Sequence, residues 1–169
     1  MIPATFRVEA LNDGHDRAAF RCGEAVLDHY FQTQVTQDIH RRMANCYVVL
    51  EIASGKLAAY YTLSAASIPL VDLPPEDTKR LPRYLALPAV RIGRLAVDSS
   101  FQRRGLGELM LMNAVHKTMR DAAAAFALIV DAKNDQAVAF YRRYGFRPLA
   151  EKPRTLFLPL ATAQKLLMG

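Results

Sequence analysis

The 169-residue chain contains no tryptophan and only two cysteines, Cys22 and Cys46. Two cysteines close one bridge at most, which excludes a disulfide-stapled secreted scaffold, and both are expected to be small buried residues. Long apolar runs are also missing. No stretch approaches the roughly 18 uninterrupted apolar residues of a membrane span, and the opening MIPATFRVEALNDGHDR lacks the basic-then-apolar order of a signal peptide. The expected location is therefore cytoplasmic, with no membrane partner. Internal repeats, low-complexity tracts and Gly/Ser linkers are absent, which predicts one domain over 1–169. Metal-ligand spacing is absent too. His29 and His40 fall on one predicted helix, about 16 Å apart along its axis at 1.5 Å per residue. His15 and His116 have no companion at ligand spacing, so no metal is expected. Acids are the scarcer charge: 16 Asp and Glu against 22 Lys and Arg give a net charge of +6. Such an excess fits a polyanionic partner or merely a soluble surface, and by itself selects neither.

With 51% apolar and 22% charged residues, the composition is that of a folded globular protein. Residues 24–42 place Leu27, Tyr30, Phe31, Val35 and Ile39 at helical spacing, which predicts one amphipathic helix. CYVVLEIA and KLAAYYTLSAASI flank Ser54-Gly55 and read as a hairpin. Pro69, Pro74, Pro75, Pro82 and Pro88 make residues 69–89 a structured loop. AVRIGRLAV follows as a strand, LGELMLMNAVHKTMRDAAAA as a helix, FALIVDA as a short buried strand, and DQAVAFYRRYG as a helix closed by Gly145. FRPLA and RTLFLPL are two further extended segments. The order is mixed α/β, with strand, helix, strand, helix in the second half.

Between the strand and the helix lies DSSFQRRGLGEL, residues 98–109. A glycine-rich turn that opens a helix is an anion-binding arrangement, because the first helical N–H groups have no internal partners and the positive end of the dipole points outward. Gly105 and Gly107 permit positive φ and close approach of a ligand, and Arg103 and Arg104 add charge suited to pyrophosphate. Neither a Gly-Lys-Ser/Thr nor a G-x-G-x-x-G follows, so the nucleoside-triphosphatase and dinucleotide loops are both excluded.

What stands at 102–107 is Q-x-x-G-x-G, and after the next strand come Asn134, Ala137, Phe140-Tyr141 and Gly145-Phe146. This pair of patterns resembles the GNAT acetyltransferases. FRCGEAVLDHYF at 20–31, YYTLSAASI at 60–68, LPRYLALPAVRIGRLAVD at 81–98 and RTLFLPL at 154–160 are similar to the GNAT toxins of type II toxin–antitoxin systems. The resemblance implies a single GNAT domain with a central, mostly antiparallel, splayed sheet flanked by helices. It implies acetyl-CoA as co-substrate, aminoacyl-tRNA as acceptor through its α-amino group, and a block of translation as the outcome. A ribbon-helix-helix antitoxin encoded nearby is the implied partner, and a homodimer is compatible with it. Leu95, Ala96 and Val97 occupy the strand positions that bond pantetheine in the family. Arg103, Arg104, Gly105, Gly107, Glu108 and Asn134 complete the implied cofactor set. Tyr141 stands where the family carries its proton donor.

The chemistry is consistent with that implication. Acetyl transfer from a thioester needs a free amine, a stabilised thioester oxygen and a proton for the leaving thiolate. A phenol near pKa 10 can donate to a thiolate near 8.5, with Tyr141 as the donor and Tyr144 as the alternative. The strand 90–97 offers Arg91 and Arg94 but no Asp, Glu or His as a base. An α-amine near pKa 7.7–8.0 is already partly free at neutral pH, so water suffices as base. Arg83, Arg91, Arg94, Arg142 and Arg143 are candidate phosphate contacts for tRNA, against the simpler reading of a solvated basic face. Two other functions stay open: a GNAT enzyme acting on a small-molecule amine or a protein N-terminus, and a coenzyme-A-binding module without turnover.

Overall fold

The computed structural model describes residues 5–121 and 123–168. Seven strands form a sheet of order β1-β2-β3-β4-β5-β7-β6, and helices accompany them. By packing density the chain forms two compact units, one from residues up to Ser64 with Gly93–Ala114, the other from Ala65–Ile92 with the residues from Val115 onward. Two strands, β3 (Leu57–Pro69) and β4 (Ala86–Val97), and the helix α4 (Leu106–Asp121) contribute residues to both units.

In the first unit, β1 (Phe6–Ala10) pairs antiparallel with β2 (Asn45–Glu51), from Phe6↔Glu51 to Ala10↔Tyr47. β2 pairs antiparallel with β3 through the expected turn at Ser54-Gly55. The expected helix over 24–42 is broken. It is α1 (Ala25–His29), a π-helical turn at Tyr30–Gln34, and α2 (Val35–His40). Within the wide turn the Val35 N–H reaches back to the Tyr30 carbonyl, and the Phe31 carbonyl accepts Arg17 Nη1 at 2.7 Å. Apolar periodicity remains intact because Phe31 and Val35 are fully buried and Tyr30 nearly so. The Phe31 ring stacks on Tyr60 of β3 at 4.2 Å with the planes 3° apart, and Tyr60 Oη donates to the Leu27 carbonyl at 2.8 Å. Cys46 belongs to the same buried cluster, while Cys22 packs against it and is half-buried; both are free thiols.

In the second unit, β4 runs parallel to β5 (Ala127–Asp131), from Ala89↔Ala127 to Ile92↔Val130. β5 pairs antiparallel with β7 (Lys152–Pro159), and β7 with β6 (Arg147–Leu149). The proline-rich segment is a loop over a shorter span than expected: Pro69 ends β3, residues 86–89 with Pro88 already belong to β4, and the stretch between holds a 3-10 turn at Leu70–Asp72 and one short helix, α3 (Pro75–Thr78). Helix α5 (Asp135–Arg143) ends before Gly145, whose φ of +94° is the left-handed turn the sequence predicts there. Helix α6 (Leu160–Met168) and strand β1 were not foreseen. The expected extension of α4 toward residue 125 passes through Ala122, which lies outside the described residues; Ala123 to Ala125 are not helical. Among the described residues, no helix is long and apolar enough to cross a membrane.

Candidate active site

The parallel ladder between β4 and β5 stops at Ile92↔Val130, and β4 continues through Leu95, Ala96 and Val97. At this transition Gly93 and Arg94 meet β3. The Arg94 N–H donates to the buried Thr62 Oγ1 at 3.0 Å. A Cβ on Gly93 would lie 3.0 Å from that same oxygen, so a side chain there would disturb the contact. Ala96 is buried under the helical segments, and Leu95 and Val97 are half-buried.

After Val97 the chain is tied down at several points. The Asp98 carboxylate accepts the N–H groups of Ser100 and Arg21, both at 2.9 Å. Gln102, the first fixed position of Q-x-x-G-x-G, donates its amide to the Cys22 carbonyl at 3.3 Å. Its role is thus to hold the turn against the Cys22-Gly23 segment. Beyond it Arg103 has φ +64° and Gly105 φ +77°. Left-handed residues alternating in this way turn successive N–H groups toward one side, a concavity suited to an anion. The first intrahelical bond of α4 is Leu109 N–H to the Gly105 carbonyl at 3.1 Å. The N–H groups of Leu106, Gly107 and Glu108 precede it and extend the donor set. Gly107, which could have taken positive φ, lies inside the first turn of α4, and Arg103 takes the left-handed conformation with Gly105.

The two arginines of this turn differ sharply in surroundings. Arg104 lies over the rings of Phe6 and Phe101, at 4.9 and 5.5 Å from their centroids, with its Nη1 3.4 Å from Glu51 Oε2. It fastens the turn to β1 and β2. Arg103 and Glu108 are exposed.

The second unit carries the other expected residues. Asn134 Oδ1 accepts the Ala137 N–H at 2.8 Å and caps α5. Tyr141, on the buried face of α5, is 7% exposed and packs against Phe140 and Phe146 at 5.1 and 5.4 Å. Burial alone pushes its hydroxyl up to about 12, so it is a fully protonated donor at neutral pH. Arg142 and Arg143 are exposed in the last turn of α5, and Arg83 is exposed in the loop before β4. Arg91 is ion-paired with Asp131 of β5. Sequence reasoning did not anticipate the partners that hold these groups: Thr62, Glu51, Phe6 and Tyr30 each lie far from the motif in the chain, and Phe101, though inside it, carries no mark of its contact with Arg104. Among the described residues, no group of three His, Cys, Asp or Glu is placed to hold a metal ion.

Residues 83–156 match the acetyltransferase (GNAT) domain. The similarity of the chain to known proteins extends well beyond the matched residues. It is 28% identical over 162 residues to a probable toxin TacT of Sinorhizobium fredii, covering 90% of each chain. It is 28% identical over 159 residues to a tRNA-acetylating toxin of Mycobacterium tuberculosis, covering 93% of each. Among solved structures, a tyrosine-to-phenylalanine mutant of KacT aligns with a TM-score of 0.87 at 28% identity, over 96% of this chain and 99% of that one. AtaT complexed with acetyl-methionyl-tRNAfMet aligns at 0.85 and 28% identity over 96% and 99%. AtaTR bound with acetyl-CoA aligns at 0.81 and 28% identity over 96% and 98%.

Proposed function

We propose that residues 1–169 work as one acetyltransferase domain, the toxin of a toxin–antitoxin pair, which moves acetyl from acetyl-CoA to the α-amino group of aminoacyl-tRNA in the cytoplasm and so blocks translation. The observation that carries this reading is the full-length likeness to tRNA-acetylating toxins, which extends to the segments outside the GNAT motifs. Leu95, Ala96 and Val97 offer backbone groups to pantetheine. The left-handed turn with Arg103, Gly105, Gly107 and Glu108 receives the pyrophosphate, Arg104 holds that turn in place, and Asn134 sets the start of α5. The acceptor amine attacks the thioester carbonyl, the C–S bond breaks, and Tyr141 Oη gives its proton to the departing sulfur. The amine's surplus proton leaves to water, and the phenolate is reprotonated from solvent. Arg83, Arg91, Arg94, Arg142 and Arg143 are assigned to tRNA phosphates.

The test is to incubate the protein with acetyl-CoA and total charged tRNA and read the aminoacyl ends by mass spectrometry. N-acetylated aminoacyl-adenosine is expected. Turnover of free amines or peptide N-termini without any modified tRNA would favour the small-amine acetyltransferase. The partner is proposed to be a ribbon-helix-helix antitoxin whose flexible acidic tail competes for the basic face. Co-expression with the adjacent small gene is expected to copurify a complex that no longer acetylates charged tRNA, and a complex as active as the free protein would refute this.

A further inference from the structure

We infer that Arg94 reads a phosphate of the acceptor and that Tyr30 and Asp38 are the positioning residues that aim it, an assignment that rests on the proposed function. Several arginines here already have a carboxylate partner: Arg91 has Asp131, Arg104 has Glu51, Arg147 has Asp77 and Arg154 has Asp135. Arg94 is half-buried on β4, one residue before Leu95, and no carboxylate pairs with it among the described residues. An aromatic face covers it instead, with its Cζ 3.5 Å from the centroid of Tyr30.

Tyr30 is held at both ends. Its ring is 3% exposed, its backbone opens the π-helical turn, and its hydroxyl donates to Asp38 Oδ2 on α2 at 2.7 Å. The wide turn makes that bond feasible. Eight residues of uninterrupted α-helix sweep about 800°, leaving positions 30 and 38 about 80° apart around the axis. A π-turn absorbs one extra residue, which takes back about 100° and returns the two to nearly one face. The Arg94 main chain is fixed independently, by Thr62 Oγ1 at 3.0 Å and by the lack of room for a side chain at Gly93.

A guanidinium stacked on one face keeps its edge N–H groups free, and that planar fork matches two oxygens of a phosphodiester. A half-buried cation without a counter-ion gains most when an anion arrives. Aminoacyl-tRNA supplies a phosphodiester beside its terminal nucleotide, and acetyl-CoA also carries phosphates, so the experiment separates the two. The acceptors are the charged tRNA acetylated best in the screen above and the methyl ester of the same amino acid, which keeps the amine and the ester and lacks phosphate. In Arg94→Gln the ratio of kcat/KM for tRNA to that for methyl ester is expected to fall at least tenfold, with the loss in KM for tRNA. Arg94→Lys, which keeps the charge but not the fork, is expected to fall similarly. Tyr30→Leu should reproduce most of the effect. Tyr30→Phe retains the ring but loses the bond to Asp38, so the ratio should fall by about two- to fivefold, with Asp38→Ala matching it, and an unchanged ratio in both variants overturns the role given to Asp38. Acetyl-CoA affinity, measured by calorimetry, serves as the other arm. An equal fall on both acceptors, or a tenfold loss of acetyl-CoA affinity in Arg94→Gln, overturns this assignment alone. A wild-type protein that uses the methyl ester but never charged tRNA overturns the proposed function and this assignment with it.

Discussion

Replacing Tyr141 with phenylalanine isolates one atom. The ring packs between Phe140 and Phe146, so phenylalanine keeps those contacts and the fold should tolerate the change within about 1 kcal/mol. What disappears is the proton for the departing thiolate, and general-acid assistance contributes typically 10²–10⁴-fold. The turnover number is therefore expected to fall by about that factor while acetyl-CoA affinity stays within a few-fold. Burial raises the phenol to about 12, and only about one molecule in 10⁵ is ionised at pH 7. The sign follows from that shift: the active, protonated form persists as pH rises, and rate loss from this group begins only as pH nears 12. The assay is single-turnover acetylation at saturating acetyl-CoA, with kcat followed from pH 7 to 10.5. Turnover within threefold of wild type in Tyr141→Phe refutes the donor role. A wild-type rate that falls by half near pH 10, with no loss of fold, refutes the argument from burial.

Three further outcomes follow from the geometry. Gly105→Asp forces a side chain onto φ +77°, at roughly 1–2 kcal/mol of backbone strain, and places a carboxylate beside the anion cradle; because no atom lies within 4 Å of a Cβ there, the protein should fold yet bind acetyl-CoA at least tenfold more weakly by calorimetry. Arg104→Ala removes a cation from two aromatic rings, worth about 0.5–1 kcal/mol at a partly exposed site, and acetyl-CoA affinity should drop several-fold without restoration by Arg104→Lys. Burial pushes the Cys46 thiol from 9.0 up to about 12, so its contribution to stability is complete below pH 9 and drains away between 9 and 12, at up to about 1.4 kcal/mol per pH unit. Urea midpoints should fall more steeply from pH 8.5 to 10.5 in the wild type than in Cys46→Ala, and parallel curves would refute the assignment.

The strand–turn–helix at 89–121 was legible because apolar runs, two glycines and a polar turn all agree there. Tyr141 and Asn134 were singled out through the resemblance to the GNAT pattern; the structure buries the first and has the second cap α5. The break in the helix at Tyr30–Gln34 was hidden because one extra residue shifts the phase of the apolar stripe without erasing it; Leu27, Phe31 and Val35 fit either form. Helix α6 follows β7 directly, with no Ser, Thr, Asp or Asn just before it to announce its start, and β1 is a five-residue edge strand with a weak alternation. The different situations of Arg103 and Arg104 were invisible as well. They are set by Glu51 and Phe6, whose proximity to Arg104 only the folded sheet creates, together with Phe101 of the same turn.

Strand β7 lies between β5 and β6 although it follows both in the chain, and α5, the helix bearing Tyr141, packs against it. During synthesis, residues 127–149 thus emerge from the ribosome without the strand that joins them, and the packing of α5 against β7 awaits residue 159. The order in which these strands are made and the order in which they pair therefore differ, and β5 and β6 become neighbours of a common strand only once that last strand has been added.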